Sequence, residues 1–286
     1  MQHFQKTLKK AVTLSGFGVH RGKKSILVIK PAAIGHGIIF KRQIGDKLYH
    51  FRAQSDETGD TRLYTSLGQG DARIETIEHL MAAIVACGLD NLEIEVSDIE
   101  VPIMDGGSYI FVKAFKEAGI VEQNEKRKYL IIKEPVRVER GDDYAEFIPY
   151  DGCRFDITIS FDTPAIGKQN YIFDLNENKF FEEISKARTF GFLKDVEMLR
   201  ASNMALGSTL DNSIVIGFED EIVNDDGLNY PDEFVRHKLL DAIGDTALIG
   251  VPFYGLFRSY RGGHALNAQL VKKLLETKKA YEYRVF

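Results

Sequence analysis

Glu122-Gln123-Asn124-Glu125-Lys126-Arg127-Lys128 is a run of polar residues with no apolar period, and the reading of the fold turns on it. A segment with nothing to bury reads as a linker, and the same order of elements appears on each side of it. Before it, the β-branched runs Ser25-Ile26-Leu27-Val28-Ile29-Lys30 and Gly37-Ile38-Ile39-Phe40-Lys41, bounded by Pro31 and Gly35, read as strands. A helix follows from about Ile74 to Cys87, stopped by Gly88, then a period-two strand over Asn91–Val96 and a helix from Ser108 to Ala118 that ends at Gly119. Beyond the linker, strands restart at Tyr129–Ile132, Val136–Val138, Ala145–Ile148 and Phe155–Phe161. Helical spacing covers Lys179–Arg188 and Phe192–Arg200. The strand Ser213–Ile216 then precedes a long helix over Asp232–Leu248, a strand over Phe253–Tyr260 and a closing helix over Ala265–Lys279. Strands first and helices after, in each half, predict an α+β fold and not a doubly wound α/β sheet. We expect two units, 1–125 carrying Glu78 and His79, and 126–286 carrying His237, Asp241 and His264.

Composition narrows the function classes. With 44% hydrophobic and 28% charged residues among 286, the chain is long enough for about two cored domains and is not collagenous or disordered. A net charge of -5 with mixed signs offers no basic footprint, so no nucleic-acid partner is expected. The longest uncharged apolar stretch, Thr246–Phe257, contains Pro252 and falls short of the ~20 residues of a spanning helix, so no transmembrane segment is expected. The N-terminal lysines are followed by no apolar core of signal-peptide length, so export is not expected either. Two cysteines, Cys87 and Cys153, are too few for a disulfide framework or an all-thiolate zinc site, and a cytoplasmic, reducing location fits them.

Three groups of residues could carry chemistry. His237 and Asp241, at i and i+4 on the long helix, share a face, and imidazole plus carboxylate suits a borderline cation such as zinc. Glu233 and Asp245 continue the same row. The competing reading is a solvated face with a His–Asp hydrogen bond. Glu78 and His79 stand in an otherwise apolar helix, where charge needs a partner or a function. They could supply a base and a third ligand, or form a buried pair that joins the two halves. The metalloprotease signature is excluded, because Ala83 occupies the position of its second His. Arg261-Gly262-Gly263-His264 places a His at a helix start, either as a reactive group or as a cap in a surface loop. His20 reads as a turn residue, and His3, His36 and His50 as exposed positions. One faint echo links the halves: Glu75 precedes His79 by four residues, as Glu233 precedes His237.

Five blocks, in order, resemble a known family. They are Ile74-Glu75-Thr76-Ile77-Glu78-His79-Leu80, Ile99-Glu100-Val101-Pro102-Ile103-Met104-Asp105-Gly106, Ala187-Arg188-Thr189-Phe190-Gly191-Phe192, the stretch from Phe234 to Asp245, and Gly263-His264-Ala265-Leu266-Asn267. Together they resemble the UDP-3-O-acyl-N-acetylglucosamine deacetylases, the zinc amidases of lipid A synthesis. The resemblance implies two ββαα-type domains packed face to face, each with a small insert, and an active site between them. It implies zinc (Zn2+) held by His79, His237 and Asp241, Glu78 as general base, His264 as general acid and Asp245 as its orienting partner. Thr189 and Lys238 would polarise the amide carbonyl and stabilise the oxyanion. Phe161 and Arg261 fall at the nucleotide end of the substrate, and Phe190 is a further substrate contact. The implied partner is the UDP-3-O-acyl-N-acetylglucosamine substrate, acted on by a cytoplasmic monomer. One block departs: the family's Gly-Leu-x-x-Gly-Gly-Ser reads Asn203-Met204-Ala205-Leu206-Gly207-Ser208-Thr209 here, at the acyl-chain entrance. Two other readings are a zinc amidase for a different N-acyl substrate and a binding module with structural zinc, although neither cysteine is placed to close a four-ligand site.

Overall fold

The computed structural model describes residues 3–286. Its first strands are β1 (Phe4–Leu8), β2 (Val12–Phe17), β3 (Lys24–Pro31), β4 (Ile38–Ile44), β5 (Lys47–Arg52), β6 (Leu67–Gln69) and β7 (Ala72–Ile74). Helix α1 (Glu78–Ala86), β8 (Leu92–Val96), α2 (Tyr109–Ala118) and β9 (Ile120–Lys126) follow. Next come β10 (Lys128–Ile132), β11 (Val136–Arg140), β12 (Asp143–Ile148), β13 (Cys153–Ser160), β14 (Lys168–Asp174), the short α3 (Glu177–Lys179), β15 (Thr189–Phe192), α4 (Val196–Ala201) and β16 (Ser213–Ile216). The chain closes with α5 (Glu233–Thr246), β17 (Phe253–Tyr260), α6 (His264–Glu276) and β18 (Tyr281–Val285).

The fold is α+β. One five-stranded sheet runs β2-β3-β8-β4-β5, and one seven-stranded sheet runs β11-β12-β17-β10-β18 with β13 and β14 joined through β17. Alternation builds the second sheet: Phe147, Phe155 and Phe257 face inward, fully buried, with ring centroids 5.5 Å apart for Phe147–Phe257 and 5.7 Å for Phe155–Phe257. Helix α6 lies on β11 and β12, and α5 packs against both α6 and α1. No helix among the described residues is long and apolar enough to cross a membrane.

Three expectations need correction. The polar run taken as a linker forms most of β9, which pairs antiparallel with β1. Its backbone ladder satisfies it without an apolar face, and Gln123 and Arg127 bond Asn91 and Asp90. The helix expected from Ile74 starts only at Glu78, because Thr76 takes a left-handed φ of 59° and Glu75 pairs its backbone with Ile99 and Val101. The helix expected over Lys179–Arg188 is three α-helical residues and a wide turn to Ile184, closed by Ser185 N–H on the Phe180 carbonyl. Beyond it the chain is drawn off to bond α5, as described below.

Glycine decides how closely the two central helices meet. A Cβ at Gly244 of α5 would run into the Glu78 carbonyl of α1. The bare backbone lets the start of α1 reach the last turn of α5, which sets their charged residues side by side.

Candidate active site

Buried polar side chains collect where α1 meets α5. Glu78, His79, His237, Asp241 and Asp245 are each at most 5% exposed. One ligand atom from each of His79, His237 and Asp241 lies within 4.8 Å of the others. His79 Nε2 is 3.5 Å and His237 Nε2 3.4 Å from Asp241 Oδ1, and the two imidazoles meet edge to face at 4.9 Å. His237 Nδ1 donates to the Ala187 carbonyl at 3.0 Å, which leaves its Nε2 lone pair aimed at the cluster. Burial pushes the His237 imidazole down to about 3, against the pull of Asp241, so it is neutral at pH 7. Burial disfavours the Asp241 carboxylate too, but His237, Lys238 and His264 hold it well below its ordinary range, and of these Lys238 and His264 are the ones charged at neutral pH. Asp241 Oδ1 and His79 Nδ1 are buried without hydrogen-bond partners. An orphaned carboxylate oxygen facing two imidazoles fits a divalent cation, and the donor set of two His and one Asp suits a borderline one.

Around this cluster stand two groups able to move protons. Glu78 accepts the Thr65 N–H at 3.0 Å through Oε2, while Oε1 lies 3.8 Å from His264 Nε2. Burial raises the Glu78 carboxyl, opposed by His264 and His79. For His264 burial works against the imidazolium, yet Asp245 and Glu78 outweigh it and raise the ring to about 9. Its Nδ1 sits 2.9 Å from Asp245 Oδ2. Asp245 is in turn fixed by the Thr65 hydroxyl at 2.5 Å and Asn267 Nδ2 at 2.8 Å. Lys238 Nζ donates to Asp241 Oδ2 at 2.6 Å, and this pairing raises the ammonium above its ordinary value despite burial.

A cavity of about 540 Å³ opens over the cluster, and Glu78, His79, His237, Lys238, Asp241 and His264 all reach it. Thr189 and Phe190 come from β15, whose start is held by the Thr189 N–H on the Gly106 carbonyl at 2.9 Å. Gly106, at φ 84°, passes so close to the Asn212 carbonyl that a Cβ would collide with it. Phe161 packs edge-on to Phe190 at 5.8 Å, and both line the cavity. Arg261 does not line it: its guanidinium donates to Asp143 at 2.6 Å, while Gly262 and Gly263 form the wall. In the departing block, Asn203 and Ala205 take left-handed φ values of 55°, and Ser208 donates to Ser213 at 2.9 Å. Ala205 and Ser208 both line the cavity.

Sequence reasoning missed several members of the site. His20 is no simple turn residue: it lines the cavity, with its ring 5.2 Å from Tyr64 and Nδ1 buried and unpartnered. Burial pushes it down to about 4. Thr65 and Asn267 carry no periodic signal, and they enter only because tertiary contacts bring them to Asp245.

The comparisons with known proteins agree with this geometry. A family model for UDP-3-O-acyl N-acetylglycosamine deacetylase (LpxC) matches residues 5–276. The chain belongs to this family. Proteins named UDP-3-O-acyl-N-acetylglucosamine deacetylase from Brucella ovis, Brucella abortus and Brucella melitensis are each 51% identical to it over 282 residues, covering 99% of both chains.

Proposed function

We propose that this member of the deacetylase family hydrolyses the acetamide of UDP-3-O-acyl-N-acetylglucosamine, giving acetate and the free 2-amino sugar nucleotide, an early step of lipid A biosynthesis. The observation that carries the reading is the convergence of three side chains able to hold a metal, His79, His237 and Asp241, with Glu78 and His264 at one cavity. His79, His237 and Asp241 would hold Zn2+. Zinc in such a site supplies Lewis-acid activation of water and of the amide carbonyl.

The chain's own residues do the rest. Glu78, its carboxyl raised by burial and so closer to neutrality in basicity, takes the proton of the attacking water. Thr189 stands at the cavity wall to donate its hydroxyl to the carbonyl oxygen as negative charge develops there. Lys238 brings the only ammonium that reaches the cluster among the described residues, and it steadies the same charge while paired to Asp241. The C–N bond then breaks, and the leaving nitrogen must gain a proton. His264, held as imidazolium by Asp245, supplies it through Nε2, the ring nitrogen that faces Glu78. Phe161 and Phe190 offer the substrate an apolar wall, and Arg261, turned toward Asp143, would meet only the outer, nucleotide end.

We further propose that the chain divides at 125/126 into two units with the cavity between them, since α1 supplies Glu78 and His79 and α5 supplies His237, Lys238 and Asp241. All of these residues come from one chain, so a monomer suffices, and the cytoplasm is where a nucleotide-sugar substrate is to be met. The test is acetate release from UDP-3-O-acyl-N-acetylglucosamine, before and after exhaustive chelation and after zinc is restored. Turnover that is lost and then regained is the expected result. Full activity after chelation would remove the metal from the reading, and turnover of other N-acyl substrates alone would replace the substrate.

A further inference from the structure

Glu233 takes no direct part in the chemistry above, yet it is completely buried at the first turn of α5. A carboxylate in that position has lost its hydration and needs strong donors. Its donors are specific. Oε1 accepts the backbone N–H of Arg188 at 2.8 Å and the Arg188 Nε–H at 3.0 Å, and Oε2 accepts the Asn229 N–H at 2.5 Å.

The Arg188 N–H matters because of what shares its plane. It belongs to the 187–188 peptide group, whose other end is the Ala187 carbonyl that accepts from His237 Nδ1 at 3.0 Å. The peptide is trans and planar, so its N–H and C=O point in opposite directions and cannot be re-aimed separately. Glu233 and His237, one turn apart on the same helix, therefore grip the two ends of a single peptide group. A carboxylate on the N–H end also polarises the carbonyl and strengthens it as an acceptor. The consequence falls on His237. A carbonyl fixed on Nδ1 enforces the Nδ1–H tautomer, and only that tautomer leaves Nε2 as a lone pair facing Asp241 and His79.

We propose that Glu233 is a positioning residue for the metal centre, acting through the 187–188 peptide to hold His237 in its ligating tautomer and thereby setting the affinity of the cluster for a divalent cation. This rests on His237 being a ligand, as the function proposed above requires. Arg188 has a second role in the same device: its Nη2 bonds the Gly227 carbonyl at 2.7 Å, and its Nη1 bonds Asp226 at 3.0 Å, so the guanidinium ties the loop before α5 to the gripped peptide. Asp226 is 68% exposed on its side chain and does not touch the peptide, which makes it the natural control.

The full-length protein is stripped of metal and titrated with Zn2+ against a chromophoric chelator, in parallel with thermal melting of the metal-free form. Glu233→Ala is expected to weaken zinc binding about 10–100-fold, the usual cost of losing an outer-shell partner. Glu233→Gln, which keeps an acceptor but not the charge, is expected to lose less. Asp226→Asn should stay within about twofold of wild type, as an exposed substitution does. A ¹⁵N spectrum of the His237 ring in the metal-free protein should show the Nδ1–H tautomer in wild type and a mixture in Glu233→Ala. A merely structural Glu233 would lower the melting temperature and leave affinity and tautomer alone, which overturns the proposal. An Asp226→Asn loss as large as that of Glu233→Ala overturns it as well. If Glu233→Ala does not fold, Glu233→Gln carries the test, and wild-type affinity in that variant overturns the proposal. Failure of the underlying reading looks different: wild type would take up no stoichiometric zinc, or His237→Ala would bind it as tightly as wild type.

Discussion

The starts of α1 and α5 are built alike and finished differently. Each has a fully buried glutamate four residues before a histidine of the candidate metal site, Glu75 before His79 and Glu233 before His237, and each glutamate is paired to arginine. Glu75 gives its carboxylate to side chains only, namely Arg21, Arg73 and Tyr64, with Arg21 bonded through both Nε and Nη2 at 2.8 Å. Glu233 instead takes a backbone N–H whose peptide reaches His237. Accordingly, His237 has its Nδ1 satisfied and its tautomer settled, whereas the Nδ1 of His79 is buried and unpartnered. The His237 ring is oriented in advance of any cation. His79 is held by packing and by the Ser108 hydroxyl on its own carbonyl at 2.7 Å, neither of which chooses a ring nitrogen. Two helices that look like copies in sequence thus differ in build: on the function proposed above, α5 would provide a preset ligand stripe, and α1 would pair a less constrained ligand with a proton acceptor beside it.

That division is sharpest at the neighbours Glu78 and His79. His79→Ala is expected to lose both bound zinc and activity, while Glu78→Ala should keep zinc and fold and lose about 10²–10⁴-fold in kcat, the range for a general base. Zinc content and single-turnover rate, measured on the same preparations, separate the two. Equal loss of metal in both variants would show that α1 contributes a pair of ligands and no separate base.

The part of the site legible in sequence is the part that a single helix lays out. His237, Asp241 and Asp245 repeat every four residues, so their common face follows from helical geometry alone, and α5 appears within two residues of its expected span. Glu78 beside His79 stood out because charge in an apolar helix demands an explanation. What could not be read is what depends on long-range approach. Thr65 lies 180 residues from the Asp245 it bonds, in a segment without periodicity. His20 looked like a turn residue because its part in the cavity comes from the packing of distant elements, with Glu100 capping its backbone N–H from another segment at 3.0 Å. β9 was missed for a related reason: its stability lies in main-chain bonds to β1, which leave no mark on side-chain hydrophobicity. The role of the 187–188 peptide is invisible in principle, since a backbone group has no letter of its own.

The closeness of α1 and α5 can be probed without touching a charged group. Gly244→Ala adds one methyl where the Glu78 carbonyl already sits, and overpacking of this kind costs about 1–3 kcal/mol. We expect a lower denaturation midpoint with an unchanged m-value, together with weaker zinc binding, because the methyl pushes His79 away from His237. Loss of stability with native zinc affinity would mean that the helices separate elsewhere and that the cluster does not depend on their contact.

The smallest effect, and the most informative about proton transfer, is expected at Asp245. This carboxylate faces His264 Nδ1 and is itself fixed by Thr65 and Asn267, so the charge that favours the imidazolium is held in place by α5, α6 and the segment before β6. His264 is raised from 6.5 to about 9, and a raised histidine stabilises the folded state fully below its unfolded value, losing that contribution as pH rises from about 6.5 through about 9. Asp245→Asn keeps the shape and removes the charge. Without the Asp245 charge, burial still disfavours the imidazolium and only Glu78 still favours it, so the ring should lose its proton at lower pH than in wild type. Two measurements follow. The basic limb of kcat/KM should move to lower pH in Asp245→Asn at matched zinc content. The stability difference from wild type should be full below about pH 6.5 and shrink as pH approaches 9. Thr65→Val, which frees Asp245 Oδ1 without removing the charge, should move the limb less and in the same direction. Glu78 titrates in the same site, so each limb is a property of the pair, and the shift between variants is the quantity to compare. A basic limb that stays fixed in Asp245→Asn while the rate falls would assign the proton on the leaving amine to Glu78, leaving α1 to supply both base and acid.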